Sequence, residues 1–190
     1  MHTDYPAQMG ANKKNIFAII GSASNDSANE KIIEHIANLT SDSLNFTVFT
    51  QLKTLPHFDP DLSINNPPEN ILAFRNNIEH ADAIIICTPE YVFSIPGGLK
   101  NAIEWCVATN VFSGKSTGLI TASANGQKAH ESLQLIMKTV MAKFSAETTL
   151  LIQGIKGKMD NAGKITDHIT LAALQKFTNA FLNQGTIDNE

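Results

Sequence analysis

The chain has 190 residues, 43% of them hydrophobic and 17% charged, which is enough apolar material for one core of ordinary size, with no compositional break to divide it. Lys and Arg number 14 against 18 Asp and Glu, a formal charge of -4, so the basic footprint that nucleic acid or an anionic membrane demands is missing. Two cysteines suit a reducing compartment, no stretch reaches the ~18 apolar residues of a membrane span, and no apolar signal segment opens the chain; the expectation is a cytoplasmic protein without membrane insertion.

In chain order, residues 1–14 are polar, contain Pro6 and Gly10, and read as a loose arm before a single domain over residues 15–185. Residues 16–20 are a continuous apolar strand ending at Gly21, and Ser27-Ala28-Asn29-Glu30 is a capping-box pattern starting a helix with Ile32, Ile33, Ile36 and Ala37 inward. The loop between them, Ser22-Ala23-Ser24-Asn25-Asp26, is rich in hydroxyls and precedes a helix N-terminus, where free N–H groups and the dipole favour an anion. Two readings stay open at this loop: a phosphate cradle, or a cap and turn with no ligand.

Phe46, Val48 and Thr50 predict a second strand, and residues 52–68, with four prolines and no helical period, predict a long connection. Ile71, Phe74, Arg75, Ile78 and Ala81 mark a helix leading into residues 83–87, an apolar run suited to a strand buried on both faces. Thr88 and Pro89 stop that strand. Pro96 and Gly97 open a helix with Leu99, Ala102, Ile103 and Cys106 inward, which places Cys87 and Cys106 both in the core. Residues 115–122 form a fourth strand with an exit loop from Ser123 to Gln127. The stripe Leu133, Ile136, Met137, Val140, Met141 and Phe144 predicts one helix through residue 144. A fifth strand over residues 147–153, a turn region with Gly154, Gly157 and Gly163, and a helix with Ile169, Ala173, Leu174, Phe177 and Phe181 inward complete the chain.

Strands alternating with helices imply an α/β fold with a parallel sheet covered on both faces and right-handed crossovers. Five strands suit a flavodoxin-like three-layer sandwich of order 2-1-3-4-5. The exits of the first and third strands then flank the point where strand order reverses, so the serine loop and the loop after Thr88 converge on one crevice. Several chemistries are excluded. Gly114-Lys115-Ser116 resembles the end of a P-loop, but Thr109 stands where the first glycine is needed. His130-Glu131 lacks a second ligand because residue 134 is Gln, so zinc is not expected, and no Gly-x-Ser-x-Gly elbow exists. What remains is a crevice offering a phosphate cradle and the flat or apolar groups of Pro89, Tyr91 and Phe93 to a planar ring, with the chemistry left to a bound cofactor.

Thr88-Pro89-Glu90-Tyr91, Ser94, Pro96-Gly97 and Leu99-Lys100-Asn101-Ala102-Ile103-Glu104-Trp105, with the weaker Gly21-Ser22, Ser27 and Asn29, resemble the NADPH-dependent FMN reductase family. The resemblance covers the chain from Asn15 to its last helix and implies an NAD(P)H oxidoreductase in which a nicotinamide reduces FMN at N5 and a quinone, flavin, azo or similar small acceptor replaces it. It implies that Ser22, Ser24, Ser27, Ala28 and Asn29 hold the FMN phosphate. Pro89, Glu90, Tyr91, Val92 and Phe93 would border the ring largely through main chain, and Ser123, Ala124, Asn125 and Gly126 would close its far side. Glu90 is expected to fix its loop rather than act as an acid, Trp105 to pack at a dimer face, and the protein to be a homodimer or homotetramer. Two departures stand out. The family commonly has Arg where this chain has Ser24, with Asp26 adding negative charge, and usually has Asn where Val92 stands; weaker phosphate binding is the expectation. The rival reading is a non-catalytic flavin or nucleotide binder such as an electron carrier.

Overall fold

The computed structural model describes residues 13–184. Five parallel strands, β1 (Lys14–Ile20), β2 (Leu44–Phe49), β3 (Ala83–Thr88), β4 (Thr117–Ser123) and β5 (Thr149–Gln153), form one sheet of order β2-β1-β3-β4-β5. This is the flavodoxin-like order expected. Six helices cover it: α1 (Ala28–Leu39), α2 (Pro60–Asn65), α3 (Glu69–His80), α4 (Gly97–Glu104), α5 (Gln127–Thr139) and α6 (His168–Gln184). The arm expected over residues 1–14 lies outside the described residues except at its end, where Lys14 already belongs to β1, aligned with Leu44 of β2.

Strand periodicity sorts the core into two layers. Phe17 and Ile19 of β1 with Ile84 and Ile86 of β3 face α3, α4 and α5, where Ile71, Phe74, Leu99 and Leu133 meet them. Ile16, Ala18, Ile20, Ile85 and Cys87 face α1 and α6, against Ile32, Ile33, Ile36, Leu174 and Phe177. Each fully buried isoleucine or phenylalanine contributes about 1.5–3 kcal/mol of hydrophobic stabilisation, so the central strands β1, β3 and β4 fix the frame on which the loops stand. Both cysteines lie in this core, and burial pushes the Cys106 thiol up to about 12 and the Cys87 thiol up as well.

Four details differ from the sequence reading. The proline-rich connection is not featureless: Leu52–Thr54 is a 3-10 turn, and Asp59 accepts from Asp61 and Leu62 N–H to cap α2, with Pro60 at its first position. The stripe through residue 144 overruns α5, which stops at Thr139. Met141 takes a left-handed φ of 61° while Ala142 N–H bonds Met137 O and Met141 N–H bonds Lys138 O, a Schellman ending. Ile169 is 79% exposed, so Thr170 rather than Ile169 faces inward at the start of α6.

Trp105 is the fourth. Its side chain is fully buried in the core of this chain, not at a dimer face; its Nε1 donates to Pro56 O at 2.8 Å and its ring meets Phe58 edge-on at 5.5 Å. Asn101, one turn earlier, accepts from Phe58 N–H at 2.8 Å and donates to Pro56 O at 2.9 Å. The motif from Leu99 to Trp105 is therefore scaffolding that fastens the 56–58 segment to α4.

Candidate functional site

Gly21 ends β1 with its N–H bonded to Cys87 O at 2.8 Å, and a Cβ there would lie 2.3 Å from Thr88 Oγ1. Only glycine lets the exits of β1 and β3 come this close, and everything beyond them opens into a crevice of about 860 Å³. Its first wall is the loop entering α1. Ser27 caps the helix, its Oγ accepting from Glu30 N–H at 3.3 Å, which realises the expected cap. Ser22 Oγ accepts from Ser24 N–H at 3.2 Å. Among the described residues the N–H groups of Ala28 and Asn29 find no protein acceptor, and they open the positive end of a twelve-residue helix. This is a donor set suited to a phosphate.

Asn29 plays a second part. Its side chain is buried, its Nδ2 donating to Ala122 O at 3.4 Å while its Oδ1 accepts from Cys87 Sγ at 3.3 Å. The amide group thus ties the first turn of α1 to β3 and β4, which leaves the main chain of Asn29, not its side chain, for a ligand.

The second wall comes from β3. Pro89 is buried, Glu90 is half-buried, and Tyr91 is exposed toward the first wall. The Tyr91 phenol is held below the ordinary tyrosine range chiefly by hydrogen bonding with the Ser22 hydroxyl, then by Ser24, the Ala23 backbone and the Lys53 charge, against a desolvation that works the other way. Glu90 Oε2 accepts from Ala129 N–H at 2.9 Å, in the first turn of α5. Because the cap residue before α5 is Gly126, which has no side chain to cap with, Glu90 supplies from 39 residues away the acceptor oxygen that a local Asp or Ser otherwise provides. It is a loop-fixing group, as the sequence reading had it.

Ser123 and Ala124 form part of the third wall, with Ala122. Four other expected site residues do not line the crevice. Asn125 turns its Oδ1 to Gln153 Nε2 at 2.8 Å, and Gly126 sits at φ 85° under Leu151 and Thr121. Val92 and Phe93 stand at the tip of a two-residue turn closed by Tyr91 N–H to Ser94 O at 2.9 Å and Ser94 N–H to Tyr91 O at 3.1 Å. They are 95% and 74% exposed.

That tip carries strain. Val92 and Phe93 have φ of 50° and 57°, the doubly left-handed geometry of a type I′ turn, which favours Asn or Gly and is unfavourable for a β-branched residue. Since Val92 packs on nothing, V92N is expected to raise stability by about 1 kcal/mol in urea denaturation. A lower midpoint for V92N would show that the turn is not strained by its valine.

The fourth wall was not foreseen. It comes from the stretch after β5, a 3-10 turn, Ile155–Lys158, running into a small hairpin over residues 159–165: Ile155 is buried against the α1 and α6 layer, Met159 pairs with Ile165, and Asp160 Oδ1 accepts from Ala162 and Lys164 N–H, both at 2.9 Å. Gly154 N–H bonds Ala124 O at 3.1 Å, joining it to the third wall. The only signal in the sequence was three glycines in one short connection.

A model of the NADPH-dependent FMN reductase family matches residues 14–179. The chain belongs to this family. Among solved structures, the flavoenzyme NAD(P)H:(acceptor) oxidoreductase FerB from Paracoccus denitrificans is 30% identical with a TM-score of 0.80, covering 91% of this chain and 97% of its own. A quinone reductase of Pseudomonas putida is 27% identical over 87% of this chain and 91% of itself. An NAD(P)H:quinone oxidoreductase of Solanum tuberosum is likewise 27% identical, over 84% of this chain and 87% of itself. As a member of the FMN reductase family the protein is an NAD(P)H-dependent oxidoreductase that uses FMN. The crevice fits that cofactor: it has the volume of a cofactor site, unpaired N–H donors at a helix start, and a proline and tyrosine at its upper edge. No group of three or more metal-binding side chains occurs among the described residues.

Proposed function

We propose that the protein passes reducing equivalents from NAD(P)H, by way of FMN, to a quinone-type small acceptor. The observation that carries the reading is that one crevice holds both the free N–H groups opening α1 and the Pro89 to Tyr91 segment, the two ends an FMN molecule needs. The names of the quinone reductases it resembles and of FerB support the acceptor class.

Bound FMN supplies the redox chemistry, accepting reducing equivalents from the nicotinamide and releasing them to the acceptor. The chain positions. Ala28 and Asn29 N–H with the hydroxyls of Ser24 and Ser27 would hold the phosphate, the Ser22 and Tyr91 hydroxyls would join the two walls, and the main chain from Pro89 to Tyr91 would border the ring. Glu90 keeps that main chain in place through α5. No side-chain nucleophile takes part, and the crevice stays open on one side for a nicotinamide and an acceptor in turn. A reducing cytoplasm suits its two free buried thiols, and the family supports a homo-oligomer.

The test is direct. Protein loaded with FMN and desalted is expected to stay yellow, to quench flavin fluorescence on titration, and to oxidise NADPH only when a benzoquinone is present. Binding of FMN without NADPH consumption would assign the electron-carrier role instead; no binding at millimolar FMN removes the redox reading.

A further inference from the structure

The phosphate end of the crevice has a charge problem that the serine loop does not solve. Residues 22–29 contain no Lys or Arg, and Asp26, at a left-handed φ of 51°, brings a carboxylate to the same wall. Lys31, one turn into α1, is already engaged: its Nζ lies 2.7 Å from Asp26 and 3.2 Å from Glu34, and these two partners raise its pKa. That ammonium is spent on Asp26 in the wall and on Glu34 outside it, so the wall keeps no net positive charge for a dianionic phosphate.

The other crevice-lining charges are similarly placed. Glu90 is bound to the start of α5, and the Asp160 carboxylate is taken up by its own turn. Among the described residues Lys156 is the lining cation that has no anionic partner. It follows directly on Ile155, whose burial against α1 and α6 anchors the turn, and the stretch that carries it reaches from Ala124 to Lys31, whose methylenes back onto Gly163. The wall holding Lys156 is thus fixed at both ends before any ligand arrives.

We propose that Lys156 supplies the positive charge for the FMN phosphate that residues 22–29 lack, making the connection after β5 part of the cofactor site. The inference rests on the FMN reading above and concerns a phosphate monoester specifically. Lys156 is exposed, and K156Q removes its charge while keeping a long polar side chain; Asp26 opposes it, so D26N shifts affinity the other way.

The experiment compares FMN with riboflavin, which has the ring and ribityl chain but no phosphate, by fluorescence quenching at low and at 0.5 M salt. With K156Q, FMN Kd is expected to rise about tenfold at low salt, with riboflavin Kd and the urea midpoint unchanged and the difference shrinking in high salt. With D26N, FMN Kd is expected to fall about three-fold or more. An unchanged FMN Kd in K156Q, or equal losses for FMN and riboflavin, overturns the proposal while leaving the FMN site standing. So does a K156Q defect confined to NADPH binding on FMN-loaded protein, which would give this cation to the reductant. If the wild-type chain binds neither flavin, the functional reading fails and this inference with it.

Discussion

Replacing Gly21 by alanine is expected to raise the FMN Kd about 10–100-fold, equivalent to about 1.4–2.8 kcal/mol, and to lower stability by a further 1–3 kcal/mol or so. The added Cβ would stand 2.3 Å from Thr88 Oγ1, 2.6 Å from Thr88 Cβ and 3.0 Å from Leu99 Cδ2. Neither neighbour can retreat: Thr88 and Leu99 are fully buried, and Thr88 Oγ1 donates to Pro89 O at 3.1 Å. Relief comes only by prising β1 from β3 at their exits, and that displaces Ser22 and Pro89 in opposite directions. A shift of about 1 Å between two walls that grip one rigid molecule costs affinity at both ends. Flavin titration and urea denaturation of G21A measure the two effects. A double-mutant cycle isolates the cause: in a T88G background, G21A should cost at least about 1 kcal/mol less than in the wild type. Wild-type FMN affinity in a folded G21A protein would show that this close approach does not set the crevice.

R75M is expected to destabilise the protein by about 2–4 kcal/mol, a fall in Tm of about 5–15 °C, while leaving FMN affinity unchanged below the transition. Arg75 is 8% exposed, and among the described residues its guanidinium bonds two carbonyls and a hydroxyl rather than a carboxylate. It donates from Nε to Trp105 O at 2.8 Å, with Nη2 bonded to the same carbonyl, and from Nη1 and Nη2 to Ser63 O at 3.1 Å and from Nη2 to Ser63 Oγ at 2.8 Å. A cation at the C-terminal end of α4 and a fork spanning two carbonyls hold α2, α3 and α4 together. Methionine fills the space but removes the donors that these largely buried oxygens now have. R75K keeps a charge without the fork and should recover less than half the loss. Equal stability of R75M and wild type would mean that burying the guanidinium costs as much as its hydrogen bonds return.

The sheet was legible because its central strands, buried on both faces, leave runs such as Ile84, Ile85 and Ile86 that no other element explains. Helix ends were less so. Apolar residues at helical spacing continue past Thr139, and only the backbone of Met141 stops α5. The short α2 had too few turns to show a period, although Asp59-Pro60 was its signature. At the site, topology brought residues 22–29 and 89–91 to one crevice, as strand order foretold, whereas residues 123–124 were expected there from the family resemblance only. The wall of residues 154–163 escaped notice because it depends on a non-local pairing, Met159 with Ile165, and on Ile155 filling a gap between helices. The side chains of Asn29 and Trp105 were illegible for a related reason: the resemblance pointed to a ligand and to a dimer face, whereas each side chain satisfies a partner far along the chain.

The depth at which both sulfurs sit matters for an enzyme handling electrophiles. Ionised thiols add to quinones by conjugate attack, so a protein that passes electrons to such an acceptor, as proposed above, would be open to alkylation by it. Here Cys87 is sealed beneath the sheet's exit and spends its proton on Asn29, and Cys106 is buried among apolar neighbours and un-ionised at neutral pH. Such a catalyst presents neither thiol to arylation unless it unfolds.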